Sequence, residues 1–227
     1  MAKVVMQKSD LDDIYVDETQ VSAHEALGWT RSRIEVGFQE MTLPPDAAIN
    51  RGGVSALSVV DYRITPEAGD TNTILAAADL GEEPQEITEG ITQPDVPRLL
   101  SVTGSASGIT GNVTIIGRNV FKELISETFA LDGTDTIEGI LAFAEVVEID
   151  LPEQVHESGD AVEVGSLDIF GLPQSIDYEA FMLKMLFDGE DDTGGVLTLD
   201  ADEIEKNLYE PAGTPDGETA LDLVFLK

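Results

Sequence analysis

From Gly53 to the C-terminus, short apolar segments alternate with turns built from glycine, aspartate and proline. The turns read PEAGD, ASGITGN, LDGT, ESGD, DGEDDTGG and PAGTPDGE. Such residues reverse a chain tightly, because glycine tolerates backbone angles that other residues avoid and aspartate bonds its own backbone. Between turns, apolar side chains recur at every second position, as in Phe181, Leu183, Met185 and Phe187, or Leu221, Leu223 and Phe225. Period two places them on one face of a strand. Many short strands joined by such turns predict an all-β fold: an antiparallel β-sandwich or jelly-roll-like domain over residues 53–227.

Individual strands follow from the same pattern. Val54, Ala56, Val60, Tyr62 and Ile64 share one face of an extended segment, and Arg98 to Val102 forms another. Gly111 to Val120 and Lys122 to Leu131 are predicted as neighbouring strands. Leu141 to Ile149 is apolar on both faces and is predicted to lie in the middle of a sheet. Val162 and Val164 flank Glu163 in a half-buried strand, and Leu197 and Leu199 share a face in a shorter one. Little helix is expected in this part of the chain; one candidate is DADEIEKN, where Asp200 and Glu203 have capping-box spacing.

Residues 1–52 read differently. Asp17 and Gln20 predict a helix start, with a short helix over Glu18 to Leu27 and Gly28 at its C-terminal end. The segment GWTRSR then carries the only tryptophan, Trp29, beside Arg31 and Arg33. MTLPPDAAINRGG follows and breaks any regular element. This region reads as an N-terminal arm or docking segment, or equally as an extra strand and helix packed on the main domain. Trp29, Arg31 and Arg33 are its candidate interface residues, because aromatic and arginine side chains anchor protein contacts. The alternative places Trp29 in a core and pairs the arginines with nearby acids.

Charge restricts the partners. Forty-five acidic residues against twelve basic ones give a formal net charge of −33. Nucleic-acid binders need clustered lysine and arginine, so nucleic acid is excluded as a partner. Anionic membranes are disfavoured on the same ground. No stretch approaches the ~20 apolar residues of a membrane span, and no signal peptide is read at the start. Dispersed acid with little lysine points to a salt-rich setting, where screening removes self-repulsion. A basic partner surface is the other reading.

Chemistry-bearing patterns are sparse. There is no cysteine, which excludes disulfides, thiolate metal sites and cysteine nucleophiles. His24 and His156 stand apart, with no second histidine nearby, and read as surface or loop residues. Asp188, Glu190, Asp191 and Asp192 in FDGEDDTGG could offer oxygen ligands to a hard cation, but their spacing departs from an EF-hand loop, and a solvated turn is the reading preferred. GSASGITG lacks the lysine and following helix of a phosphate loop. No G-x-S-x-G is present. No enzyme, catalytic residue, metal or cofactor is expected.

The order of the β segments resembles a family of tailed-virus virion proteins, found in phages and related archaeal viruses and described as capsid-associated or head decoration proteins. The resemblance spans roughly residues 53 to 227. It is carried by Pro94-Asp95-Val96-Pro97-Arg98, Gly111-Asn112-Val113-Thr114-Ile115, the turn from Glu127 to Thr134, Gly171-Leu172-Pro173 and Pro215-Asp216. It implies a β-sandwich that oligomerises and sits on the outside of a capsid, with no active site. The implied partners are a major capsid protein and further copies of the chain, a trimer ahead of a pentamer. The implied location is the virion, after synthesis in the host cytoplasm. The heavier acidity suits a virus of a salt-loving host. A second reading is a vertex turret or tail adhesin that binds a host glycan or S-layer through the acidic loops 188–195 and 212–218.

Overall fold

The computed structural model describes residues 3–7, 14–17, 30–31 and 58–227. The chain divides into two units, residues 1–54 and 55–227. In the first, β1 (Lys3–Gln7) pairs antiparallel with β2 (Ile14–Asp17) on one side and β3 (Thr30–Arg31) on the other. The helix predicted over residues 18–27 lies outside the described residues.

The second unit begins with β4 (Val59–Ile64), β5 (Leu75–Asp79), β6 (Gln85–Ile87), β7 (Arg98–Gly104) and β8 (Thr110–Arg118). It continues with β9 (Leu124–Asp132), β10 (Thr136–Phe143), β11 (Glu145–Leu151) and β12 (Ala161–Gly171). It closes with β13 (Met182–Phe187), β14 (Glu190–Asp191), β15 (Val196–Thr198), β16 (Leu208–Glu210) and β17 (Leu221–Leu226). All pairings are antiparallel, so the unit is the all-β sandwich expected. Three sheets result. One runs β10-β7-β12-β16-β15, with β5 also on β12; the others run β6-β11-β8-β9 and β14-β13-β17-β4.

Two apolar cores lie between these sheets. The first joins Leu100 and Val102 of β7 and Val162 and Val164 of β12 to Val113, Ile115, Phe129 and Ile149 from the β6-β11-β8-β9 sheet. The second joins Phe170 and Tyr209 to Leu221, Leu223 and Phe225 of β17. Strand β12 belongs to both. Its first half packs into one core and its last residues into the other, so its eleven residues act as the spine of the unit. The predicted half-buried strand around Glu163 is the start of this longer element.

Three expectations are corrected. Leu141 to Ile149 is not one central strand. It bends at Ala144, where the chain leaves the edge strand β10 of one sheet and enters β11 of another. Its apolar residues occupy both faces because the segment crosses the core at the corner, with Phe143 fully buried there. The period-two face from Phe181 to Phe187 is broken by a register shift between Met182 and Lys184. A bulge reverses the inward and outward positions beyond it, so Leu183 is 47% exposed while Phe181, Met185 and Phe187 pack on the second core. At DADEIEKN, the Asp200 carboxylate accepts the N–H groups of Asp202 and Glu203 as a cap would. Only a single 3-10 turn follows, Ile204–Lys206. The Asn207 side chain donates to the carbonyls of Asp200 and Glu203 and closes the loop instead.

Candidate functional site

Of the three interface candidates, Arg31 lies in β3, where its backbone pairs with Met6. Trp29 and Arg33 lie outside the described residues, as does His24.

The two acidic loops named for a glycan-binding role come together. Asp192 accepts the Tyr209 hydroxyl at 2.7 Å and the Ala212 N–H at 3.1 Å with the same oxygen. Burial raises the Tyr209 pKa, and the Asp192 carboxylate beside it raises it further, so the phenol stays a proton donor to that carboxylate. The remaining acids of FDGEDDTGG diverge. Asp188 occupies a left-handed turn position, and Asp191 faces Lys184 at 3.8 Å. Among the described residues, no three histidine, aspartate or glutamate side chains gather as a cation would require. A shallow depression of about 350 Å³ beside these loops is lined by Met182, Leu183, Lys184, Asp191 and Asp192.

Arg98, first residue of β7, is 2% exposed and its side chain makes four hydrogen bonds. Its Nε donates to the Leu167 carbonyl at 3.0 Å, and its two terminal nitrogens donate to Asp95, Asp168 and the Glu67 carbonyl. The guanidinium also lies 4.9 Å from the centre of the Phe170 ring. A buried cation is tolerated only when its donors are answered in this way. The segment around Gly69 reaches Arg98 by crossing close over β12. Gly69 and Gly165 permit this, since a Cβ on either would collide with the opposing backbone carbonyl, of Ser166 or Asp70. A recess of about 240 Å³ opens beside Arg98, lined by Thr73, Gln93, Asp95 and Ser166. These groups already bond within the protein: Thr73 with Ser166, Asp95 with Arg98, and Gln93 in both directions with the Val146 backbone. Sequence reasoning placed Arg98 at a strand start without seeing its role. The available signal was a basic residue directly between proline and the run LLSV in a chain with so few cations.

His156 is likewise committed to structure. Its Nδ1 lies 3.1 Å from Asp160, which also accepts the Glu157 N–H. Its ring lies directly over Gly108, where any Cβ would strike it. The residue clamps the 105–109 turn to the 156–160 turn.

Glu127 closes an open side of the sandwich. It sits on the inward-facing side of β9 between Ile125 and Phe129, and its carboxylate accepts the N–H groups of Ile140 (2.6 Å) and Leu141 (3.4 Å) on the edge strand β10. Inward-pointing charge is one of the devices that keeps a sheet edge from pairing with another chain. Desolvation holds the Glu127 carboxyl above the ordinary glutamate range, with the two backbone bonds pulling the other way.

No family model, no curated protein and no solved structure matches this chain.

Proposed function

We propose that the protein is a non-enzymatic virion structural protein that oligomerises and decorates or cements the outside of a tailed-virus capsid. One observation carries this reading: the polar groups best placed for chemistry are spent on the frame. Arg98 and Asp192 tie separate chain segments together, and His156, Asp160 and Asn207 close their own turns. A sandwich with two cores and a dispersed acidic exterior suits a part whose task is to be a stable, repeated surface. The partners on this reading are a major capsid protein and further copies of the chain. The contact with the shell is assigned to residues 1–52, including Trp29, Arg31 and Arg33. Binding an assembled shell but not loose subunits stabilises the shell by mass action.

Co-sedimentation with shells stripped of the protein, in molar salt, tests the proposal. The full chain is expected to saturate its sites. A chain lacking residues 1–50 is expected to bind weakly while keeping the circular dichroism of the β unit. Normal saturation by the truncated chain would remove the arm from the proposal, and failure of the full chain to bind would remove the capsid. The adhesin reading is favoured only by the Asp192 link between loops 188–195 and 212–218, and binding of the isolated protein to host envelopes would support it.

A further inference from the structure

On the outer face of the β6-β11-β8-β9 sheet, charge is divided by strand. Glu86 of β6 and Glu145, Glu148 and Asp150 of β11 share that face, with Glu86 paired to Asp150 and Glu145 paired to Arg118. The neighbouring hairpin is different. Val113, Ile115, Ile125, Phe129 and Leu131 turn into the core. Asn112, Thr114, Ile116, Leu124, Ser126, Thr128 and Ala130 therefore share the outward face, and none carries charge; the charged residues of that face, Arg118 opposite Leu124 and Asp132 opposite Thr110, bound the strip at its two ends. In a chain with 45 acidic residues among 227, an outward strip along two nine-residue strands with no carboxylate from Leu124 to Ala130 stands out. One end of the strip is apolar, with Leu124 66% exposed and Phe121 52% exposed.

That end is held rigidly. Asn119, only 1% exposed, accepts the N–H groups of Phe121 and Glu123 and donates to the carboxylates of Glu123 and Glu205. Arg118 donates to the Lys122 carbonyl, and Lys122 is kept at a φ of 66°. A lysine in that left-handed conformation is strained. The loop thus holds a phenylalanine in solvent by design of its bonds rather than by looseness.

We propose that this strip is where a second copy of the chain docks, face to face. The proposal deepens the oligomer part of the capsid reading and rests on it. Two chains of this charge repel wherever carboxylate meets carboxylate, and they can approach closely only through surface that carries none. Charge-depleted, partly apolar surface is also what the centre of a protein interface requires. The division by strand selects the geometry. A two-fold axis running along the strands lays β8 of one copy on β9 of the other and sends the two acidic β11 rows to opposite flanks. An axis across the strands stacks β11 on β11 and is rejected. The contact is therefore isologous, and the assemblies it builds are even-numbered rather than trimeric. The seven residues from Leu124 to Ala130, at about 3.4 Å each, make a strip roughly 24 Å long and 10 Å wide. That is the core of an interface, below the ~800 Å² per partner of a standard one. Association is accordingly concentration-dependent, and salt strengthens it by screening the two like-charged bodies.

Sedimentation of the full chain over a range of concentrations in molar salt tests this. The wild type is expected to reach twice the monomer mass. A variant with Thr114→Glu and Thr128→Glu is expected to stay at monomer mass with an unchanged melting temperature. Because added acid could also weaken the fold, the cysteine-free chain is labelled independently at Thr128→Cys and, as a control on the other sheet, at Glu138→Cys. A bis-maleimide of about 10 Å, matched to the spacing of face-packed sheets, is expected to join the first into dimers and not the second. A wild type that remains monomeric, a Glu variant that keeps the wild-type mass, or equal cross-linking at both positions overturns the proposal. Shell binding is read separately on the same samples. Attachment by an oligomer built through another surface overturns the strip alone. An oligomer of the expected mass that never binds shells overturns the capsid reading and leaves the strip standing.

Discussion

Arg98 and Glu127 show how single residues with no catalytic partner can still govern this protein. Arg98 satisfies two carboxylates and two carbonyls at once, a geometry that a planar fork of donors provides and a lysine ammonium does not. Arg98→Lys is expected to cost about 3–5 kcal/mol, because Asp95, Asp168 and the two carbonyls lose partners in a buried place. Denaturant unfolding in molar salt measures this, and a loss under 1 kcal/mol on the same scale would mean the network is loose. Glu127 gives a pH dependence. Its pKa in the folded protein is raised above the ordinary glutamate value of 4.5. Folding therefore favours its protonated form: the contribution is complete below that ordinary value and is lost as pH rises through the raised one. Glu127→Gln keeps an oxygen for the Ile140 N–H and does not ionise, so its stability relative to wild type should grow as pH rises above the ordinary glutamate value. Glu127→Ala strands that N–H and should lower stability by about 1–3 kcal/mol throughout. A Gln variant whose offset is flat with pH would assign the raised pKa no role.

At the scale of elements, β12 and the β8–β9 hairpin carry most of the organisation. The hairpin runs in unbroken register from Thr110 opposite Asp132 to Arg118 opposite Leu124. Its loop depends on Asn119, whose four hydrogen bonds no other residue type could make in the same place. Asn119→Ala is expected to cost about 2–3 kcal/mol by leaving the Phe121 and Glu123 N–H groups unanswered. Hydrogen exchange of those two amides should accelerate while the amides of β12 stay protected. Equal acceleration in both would show that the loop and the spine open together. The pattern of this hairpin was legible in advance, because its inward and outward residues alternate without interruption. The segments from Leu141 to Ile149 and from Phe181 to Phe187 were misread, because a corner and a bulge each break the alternation without leaving a glycine or proline at the break.

At the scale of the whole molecule, charge dominates. Like charges stand close in several places, and the row Glu148, Asp150 and Glu86 is the clearest: partial desolvation and then the neighbouring carboxylates hold the Glu148 carboxyl above its ordinary range. Such rows favour unfolding when they are ionised and unscreened. The melting temperature should therefore rise from dilute buffer to molar salt at neutral pH. Glu148→Gln should raise it in dilute buffer, and the difference should shrink in molar salt as screening takes over. A melting temperature indifferent to salt would count against a high-salt setting for this protein.

The sequence by itself determined the fold class, because period-two alternation between turn residues is a local property that survives without knowledge of partners. It also determined the acidity, and with it the expectation that nucleic acid is not a partner. Tertiary structure decided what each polar residue does. Arg98, Glu127, Asn119 and Asp192 find partners across gaps of up to 86 residues in the chain, and no local pattern encodes such pairings. The uncharged strip has the same origin. Its residues are an ordinary mix of asparagine, threonine, serine, alanine, isoleucine and leucine in the sequence, and they become one surface only when β8 and β9 pair beside an acidic β11.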